Sequence, residues 1–415
     1  MRTLFISKGS GFSSRSVITG DAYVGINQIG LPSEIAKRVT FEERVTAHNL
    51  ERLQKMVDDR LCVTYRDGNS TYAIAVGSKG HTNLKVGQVI NRSIVDGDIV
   101  FINRPPSTHK HSLQAFTVYV HDDHTVKINP LVCAPLGADF DGDCVHIFYP
   151  QSLAAKAEVM ELFSVEQQLL SSHSGQLNFQ LVNDSLLSLK VMANTSFLRK
   201  ETAQQLCMFV SPVLPPDLPP PAVFRARGSR SLWTIHQILQ CALPPCVDCI
   251  GQRHVINQSE ILRFEFNREF LQSSLTDIVT SILVAKGPRD ALNFFNSLQP
   301  LLMEVLSVEG FSSSLKDFDV PNKTLREVQK SIQEISSLLP QLRISYNELL
   351  ELQVEKDLAR LKVPVVAFIL QLSSLGFLID SKSDSSIGKV LQQIGFLGLQ
   401  LFDKGKLSIT SYMSY

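Results

Sequence analysis

Ala138-Asp139-Phe140-Asp141-Gly142-Asp143 sets three carboxylates at alternate positions of a six-residue stretch. In an extended segment side chains alternate between faces, so Asp139, Asp141 and Asp143 are expected to project to one side while Phe140 turns back into the core. Three like charges gathered in this way repel one another. One or more must hold its proton or move apart unless a cation joins them. Hard oxygen ligands, with no His or Cys at the alternate positions, favour Mg²⁺ over Zn²⁺, and so few protein ligands leave coordination positions open for substrate phosphates. Gly142 fits that reading, because a residue without a side chain lets the backbone bend tightly and another molecule approach. An acidic surface turn, the commonest fate of an Asp-Gly pair, is the competing reading. The flanks speak against it: Pro130-Leu131-Val132-Cys133-Ala134-Pro135-Leu136 before the acids and Val145-His146-Ile147-Phe148-Tyr149 after them are mostly apolar. A calcium loop opening at Asp139 fails at two positions, since its glycine place holds Cys144 and its closing glutamate place holds Pro150.

Outward from the acids, residues 1–150 carry mostly strand signals. Val100-Phe101-Ile102 is an apolar run suited to a buried strand, and Phe116, Val118 and Val120 alternate with Thr117 and Tyr119. His121-Asp122-Asp123-His124 then turns the chain into Thr125-Val126-Lys127-Ile128, and a helical pattern interrupts the strands over residues 34–59. Short strands with irregular connections suggest a barrel. At Ser152 the pattern changes: this residue can cap a helix whose Leu153, Ala157, Met160 and Phe163 recur at helical spacing, with Glu158 and Glu161 on other faces. The barrel is therefore expected to end near 150. A second helical stretch spans 183–193. Residues 212–221 are too rich in proline for helix or central strand and read as a stiff surface linker. Residues 232–318 mix helices with a few strands, and 323–400 read as mainly helical, with an antiparallel pair over 323–339 and 346–361 joined near Pro340.

The length allows two or three domains, and 44% hydrophobic residues suffice for real cores. Lys and Arg number 40 against 40 Asp and Glu, so any grip on nucleic acid must be local or shared with partner subunits. Seven cysteines at scattered spacings make no disulfide framework and point to a reducing compartment. Cys246-Val247-Asp248-Cys249, with Cys241 and His254 nearby, invites a zinc reading, but a single close pair falls short of the two that structural zinc sites use, and a loop is the default. Residues 363–372 are too short to span a bilayer, and the first six residues meet Ser7-Lys8-Gly9 too early for a signal sequence. The chain reads as soluble and intracellular.

The stretch 138–143 resembles the metal-binding signature of the largest subunit of multisubunit DNA-dependent RNA polymerases. Further stretches agree in the family's order: Phe12-Ser13-Ser14-Arg15-Ser16-Val17-Ile18-Thr19-Gly20-Asp21, residues 96–110 ending Asn103-Arg104-Pro105-Pro106-Ser107-Thr108-His109-Lys110, then Phe148-Tyr149-Pro150-Gln151-Ser152 and Leu232-Trp233-Thr234. Residues 1 to about 405 are covered. Asp143-Cys144-Val145-His146 and the run 163–173 resemble most the plant-specific polymerases IV and V, V the nearer. The resemblance implies an α+β architecture: a double-psi β-barrel active-site region over 1–150, a pore-like region over 151–318 containing the Pro-rich linker, and the start of a helical funnel-like region over 319–415.

It also implies a chemistry. RNA synthesis joins a 3′ hydroxyl to the α-phosphate of a nucleoside triphosphate, and Asp139, Asp141 and Asp143 would be the catalytic acids that hold Mg²⁺. Arg104 corresponds to an arginine that reaches the sugar of the incoming nucleotide. His109 and Lys110 share its loop and are candidates to face phosphates, and Arg15 lies in a segment used beside the template strand. Two departures stand out. Gly137 occupies the place of an asparagine whose amide helps recognise the ribose 2′ hydroxyl, and Cys144-Val145 replaces the usual acidic-then-Met continuation. The implied partners are the second-largest and smaller polymerase subunits, template DNA and RNA, and nucleoside triphosphates, with no membrane; the implied location is the nucleus, in RNA-directed DNA methylation and gene silencing. By the family's plan the clamp precedes residue 1, and the bridge helix and trigger loop follow residue 415. Alone the chain is expected to be inactive, and the alternative reading is a truncated, non-catalytic product serving as a subunit-assembly surface.

Overall fold

The computed structural model describes residues 12–336 apart from 75–81, 108, 172–173, 180, 182, 195–196, 211–217, 225–230, 267 and 313, with scattered positions between 356 and 393 and the backbone of 396–402 and 406–411. The chain forms two compact units. One takes Met1–Val182, Leu198–Phe264 and Gln272–Met303; the other takes Asn183–Phe197, Glu265–Leu271 and Glu304–Tyr415.

The first unit begins with strands β1 (Ser13–Gly20) and β2 (Gln28–Pro32). An inserted layer follows: helix α1 (Ser33–Arg38), β3 (Thr40–Arg44), α2 (Leu50–Asp58), β4 (Cys62–Asp67), β5 (Ser70–Ala73) and β6 (Val89–Ser93), whose strands form one sheet in the order β3-β6-β4-β5. The helical pattern expected over 34–59 is thus two helices with a strand between them. Leu53, Met56 and Val57, at helical spacing on α2, pack with Val45, Leu84 and Ile90 to give this layer its own core.

The chain then returns as β7 (Ile99–Asn103), β8 (Leu113–His121), β9 (Val126–Ile128) and β10 (Cys144–Phe148). With β1 and β2 these close a six-stranded barrel in the order β1-β10-β7-β8-β2-β9. Two pairings are parallel, β1 with β9 and β2 with β8, and the rest antiparallel. That interleaving is the double-psi barrel. Val100, Phe101 and Ile102 are all buried because β7 is covered on both faces, which is why this strand reads as a continuous apolar run. Outside, the ring of Phe101 meets Phe163 edge-on at 5.0 Å between centroids.

Helix α3 (Cys133–Leu136) follows a 3₁₀ turn, Pro130–Val132, set by Asn129: its side chain accepts from Leu131 N at 3.0 Å and donates to the carbonyl of Val24 at 2.8 Å. After the barrel comes α4 (Leu153–Phe163), capped by the Ser152 hydroxyl accepting from Ala155 N at 3.0 Å. The cap is where the sequence puts it. The apolar stripe has another fate: α4 buries none of its residues fully, and Leu153 is 78% exposed.

Helix α5 is Asn183–Asn194. Strand β11 (Leu198–Arg199) leads into α6 (Lys200–Cys207), and its ladder partner β12 (Leu232–Trp233) leads into α7 (Ile235–Gln240), which carries a capping box from Thr234 and Gln237. A three-stranded sheet follows, β13 (Cys249–Ile250), β14 (His254–Asn257) and β15 (Glu260–Phe264), then α8 (Arg268–Lys286), α9 (Pro288–Glu309) and α10 (Asn322–Ser336). The Pro-rich linker is described only from residue 218, and the helix expected over 346–361 with its join near Pro340 lies almost wholly outside the described residues. At the end of the stretch read as mainly helical the chain instead forms a hairpin, β16 (Phe396–Phe402) with β17 (Lys406–Ser411), in which Leu399 faces Ile409 and Leu401 faces Leu407. Alternation in Phe396-Leu397-Gly398-Leu399-Gln400-Leu401 is a strand period, and it prevails there over helix propensity. No helix among the described residues is long and apolar enough to cross a membrane.

Candidate metal centre

The acid stretch is a loop between α3 and β10. Residues 140–142 form a turn, with Gly142 at φ 118°, so the carboxylates do not share the face of an extended strand as their spacing suggests. They converge because the loop curls. Gly137, in the left-handed conformation at φ 61° and ψ 34°, ends α3, and Ala138 N donates to the Cys133 carbonyl at 3.0 Å. At the far end Ile18 N on β1 donates to the Asp143 carbonyl at 3.0 Å. Across the loop, Asp139 N donates to Asp143 Oδ2 at 3.1 Å. One carboxylate oxygen from each of Asp139, Asp141 and Asp143 then lies within 4.8 Å of the others. Phe140 does not enter the core: it is 44% exposed and lies over Gly20, where a Cβ would come within 2.9 Å of its ring.

The three acids are electrostatically unequal. Asp139 is held above the ordinary carboxylate range, first by its hydrogen bond with the Asp141 carboxyl, then by partial desolvation and the charges of Asp141 and Asp143. Asp143 is held below that range, chiefly by Arg104, whose Nε donates to its Oδ2 at 2.6 Å, and then by the Asp139 N–H. One guanidinium therefore binds one carboxylate of three, and the Asp139 carboxyl is left against that of Asp141. An all-oxygen set with so little positive charge beside it fits a hard divalent cation.

Arg104 leaves the end of β7, 39 residues before its partner Asp143, and its Nη1 lies 3.9 Å from where a Cβ would stand on Gly137. His109 and Lys110 are exposed on the same connection, whose 3₁₀ turn (Lys110–Ser112) packs against α3. Sequence reasoning passed over their neighbour His111. It is buried, with Nδ1 at 3.2 Å from both Gln168 Oε1 and Asn178 Nδ2, and burial holds it below the ordinary histidine value. The buried, satisfied histidine of this loop is thus His111, while His109 stays in solvent; nothing in their types or spacing separates the two. Arg15 is exposed on β1 directly opposite His146 of β10, and among the described residues no carboxylate forms an ion pair with it. Burial, then the charge of Arg15, holds His146 below its ordinary value. Cys249 Sγ meets His254 Nε2 at 3.2 Å while Cys246 is exposed, and the aspartate trio is the sole convergent group of three or more His, Cys, Asp or Glu ligand atoms among the described residues.

Residues 8–165 match the family model described as RNA polymerase Rpb1, domain 2, and residues 168–318 match the model of RNA polymerase Rpb1, domain 3. The chain is 58% identical to DNA-directed RNA polymerase V subunit 1 of Arabidopsis thaliana over 98% of its own length and 20% of that relative's. It is 33% identical to DNA-directed RNA polymerase IV subunit 1 of the same plant, over 76% of this chain and 22% of the relative. With DNA-directed RNA polymerase subunit Rpo1N of Methanococcus vannielii it shares 28% identity over 79% of this chain and 40% of the relative. The chain therefore spans about a fifth of the length of the plant relatives it matches. Two consecutive models from one subunit cover the barrel, its acid loop and most of the region beyond, and the relatives it matches are subunits of RNA polymerases: the chain belongs to the Rpb1 family of RNA polymerase largest subunits.

Proposed function

We propose that this chain is the catalytic-centre portion of the largest subunit of a polymerase V-like RNA polymerase, extending an RNA 3′ end with ribonucleoside triphosphates. The observation that carries the proposal is the convergence of Asp139, Asp141 and Asp143 oxygens within 4.8 Å on a loop of the family's barrel. The three aspartates would hold a divalent cation there, and the chemistry so supplied would be a lowered pKa at the attacking hydroxyl and charge stabilisation on the leaving oxygens. The chain's own residues do the positioning. The three aspartates offer the oxygens, and Gly137 and Gly142 give the backbone bends that aim them. Arg104 keeps Asp143 ionised through Nε, which leaves its two terminal nitrogens to donate to a ribose. His109 and Lys110 are the residues of that loop available to phosphates, and Arg15 the one available to template phosphate. Residues 1–150 act as the active-site region, 151–318 as a pore-like region and 319–415 as the start of a funnel-like one. The second-largest and smaller subunits complete the enzyme, in the nucleus, where the polymerase V likeness points to RNA-directed DNA methylation.

One observation favours a second reading, that of an assembly surface without chemistry: Leu153 and Met160 of α4 are 78% and 48% exposed, as residues awaiting a partner subunit are. Replacing Asp139, Asp141 and Asp143 together by Ala in the assembled enzyme separates the two. Loss of RNA extension with subunit assembly retained is the expected result; undiminished extension overturns the catalytic proposal and leaves the assembly role.

A further inference from the structure

Helices α6 and α7 each follow one strand of the β11–β12 ladder, and each ends on a cysteine: Cys207 is the last residue of α6 and Cys241 the first after α7. Their sulfurs stand 3.8 Å apart, with the Cys207 thiol donating to Cys241, while the Cys241 thiol also reaches the Gln237 carbonyl at 3.1 Å. Around them Ala203, Leu206, Ile238 and Leu239 are buried, so the two helix ends are packed and cannot drift apart freely. Cys207 itself is only 1% exposed, whereas Cys241 is partly exposed.

We infer that Cys207 and Cys241 are a reversible thiol–disulfide switch that locks α6 to α7 when a hydroperoxide is present. A disulfide needs its sulfurs at about 2.05 Å, which side-chain rotation and a small closure of the helix ends supply from 3.8 Å. The division of labour follows from exposure. Solvent reaches Cys241, and the hydrogen bond from Cys207 holds its thiol below the ordinary value, so Cys241 ionises first; Cys207, pushed upward by the same bond and by burial, resolves the product. The Cys241 thiolate attacks a peroxide oxygen, an S–O bond forms, the O–O bond breaks, and hydroxide leaves. Cys207 sulfur then attacks the sulfenic sulfur, the S–S bond forms, the S–O bond breaks, and the oxygen leaves as water. Two thiols lose two electrons and two protons, and one hydrogen peroxide becomes two waters. The bond would close the excursion from 208 to 240, whose residues 219 and 220 already accept hydrogen bonds from Trp233 and Gln237 at the start of α7.

The test uses the full 415-residue chain, reduced and then exposed to hydrogen peroxide. Peptide mapping without reductant is expected to find Cys207 joined to Cys241, two hydrogens lighter than the separate peptides. The thermal midpoint should rise by roughly 5–10 °C and fall back on adding dithiothreitol. Cys207→Ser, or Cys207→Ala should the serine variant fold poorly, should leave a dimedone-reactive sulfenic acid at Cys241. The inference is overturned if both cysteines remain open to alkylation after exposed Cys246 has been oxidised, or if either of them is found joined to a different cysteine.

Discussion

At the scale of single residues the centre turns on Arg104, which bonds Asp143 and stands beside Gly137. Gly137 is left-handed, a conformation asparagine tolerates better than most side chains, and its missing Cβ faces Arg104 Nη1. Gly137→Asn is therefore expected to fold normally and to place an amide beside the Arg104 guanidinium, the group proposed to meet the sugar. Discrimination between ribo- and deoxynucleotides in the assembled polymerase should then rise about tenfold; an unchanged ratio in single-nucleotide addition would remove the amide from the argument. The acids also predict a proton count. Asp139 has its carboxyl raised, so the metal-free site keeps a proton at a pH where a free aspartate has lost it, and a divalent cation must displace that proton. Calorimetric titration with Mg²⁺ in buffers of different ionisation enthalpy should show proton release just above the ordinary carboxylate range, with affinity falling as pH drops through it. Asp143, depressed by Arg104, runs the other way: it stays ionised through that window and protonates only below the ordinary value. That three acids at alternate positions gather at one point was legible from their type and spacing. The reason first offered, an extended segment, was not the one at work, because the turn at 140–142 is held by Gly142 and by hydrogen bonds to β1 and across the loop.

Between elements, one polar network is announced by no motif. Arg92 of β6 donates to both oxygens of Asp98 at 2.6 and 2.9 Å and to Glu43 of β3 at 2.9 Å, and Lys156 of α4 lies 3.5 Å from Asp98 and 3.1 Å from the Tyr149 hydroxyl. The Lys156 ammonium also sits 3.8 Å above the Phe41 ring. The inserted layer, the approach to β7 and α4 are pinned at one point, which together with Phe163 on Phe101 holds α4 against the barrel while Leu153 and Met160 face solvent. Burial pulls the Asp98 carboxyl upward, but the bonds and charge of Arg92, with smaller help from Val95 N–H and Lys156, outweigh it and leave it below the ordinary range. Its contribution is therefore fully present above the unfolded value and lost as pH falls through the lower folded one. Asp98→Asn, which keeps the shape and removes the charge, should cost about 3 kcal/mol in urea unfolding at neutral pH. It should also flatten the acid limb of the stability profile. A cost under about 0.5 kcal/mol would make the network a surface-type pair after all. In the sequence Arg92 and Asp98 look like two ordinary charges beside a strand, since their meaning lies in Glu43 and Lys156 on either side.

For the molecule as a whole, formal charge is balanced at 40 against 40, so any nucleic-acid contact must be carried by placed residues rather than by an excess. Arg15, exposed on β1 and opposite a histidine kept below its ordinary value, is the residue proposed for such a contact. Arg15→Glu in the assembled enzyme should weaken template binding and lower the slope of log affinity against log salt by about 1; an unaltered slope would show that no phosphate is met there. What the order of amino acids determined unaided was local: the run of buried β7, the cap at Ser152, the acid loop and the family it belongs to, each written within a few consecutive residues. Only tertiary structure decided that Arg104 serves Asp143 before any substrate, that α4 turns Leu153 outward, that His111 rather than His109 is the buried histidine, and that Cys207 meets Cys241. Those outcomes join residues 34 to 67 positions apart, or choose which face of an element is covered, and no periodicity inside a single strand or helix carries that information.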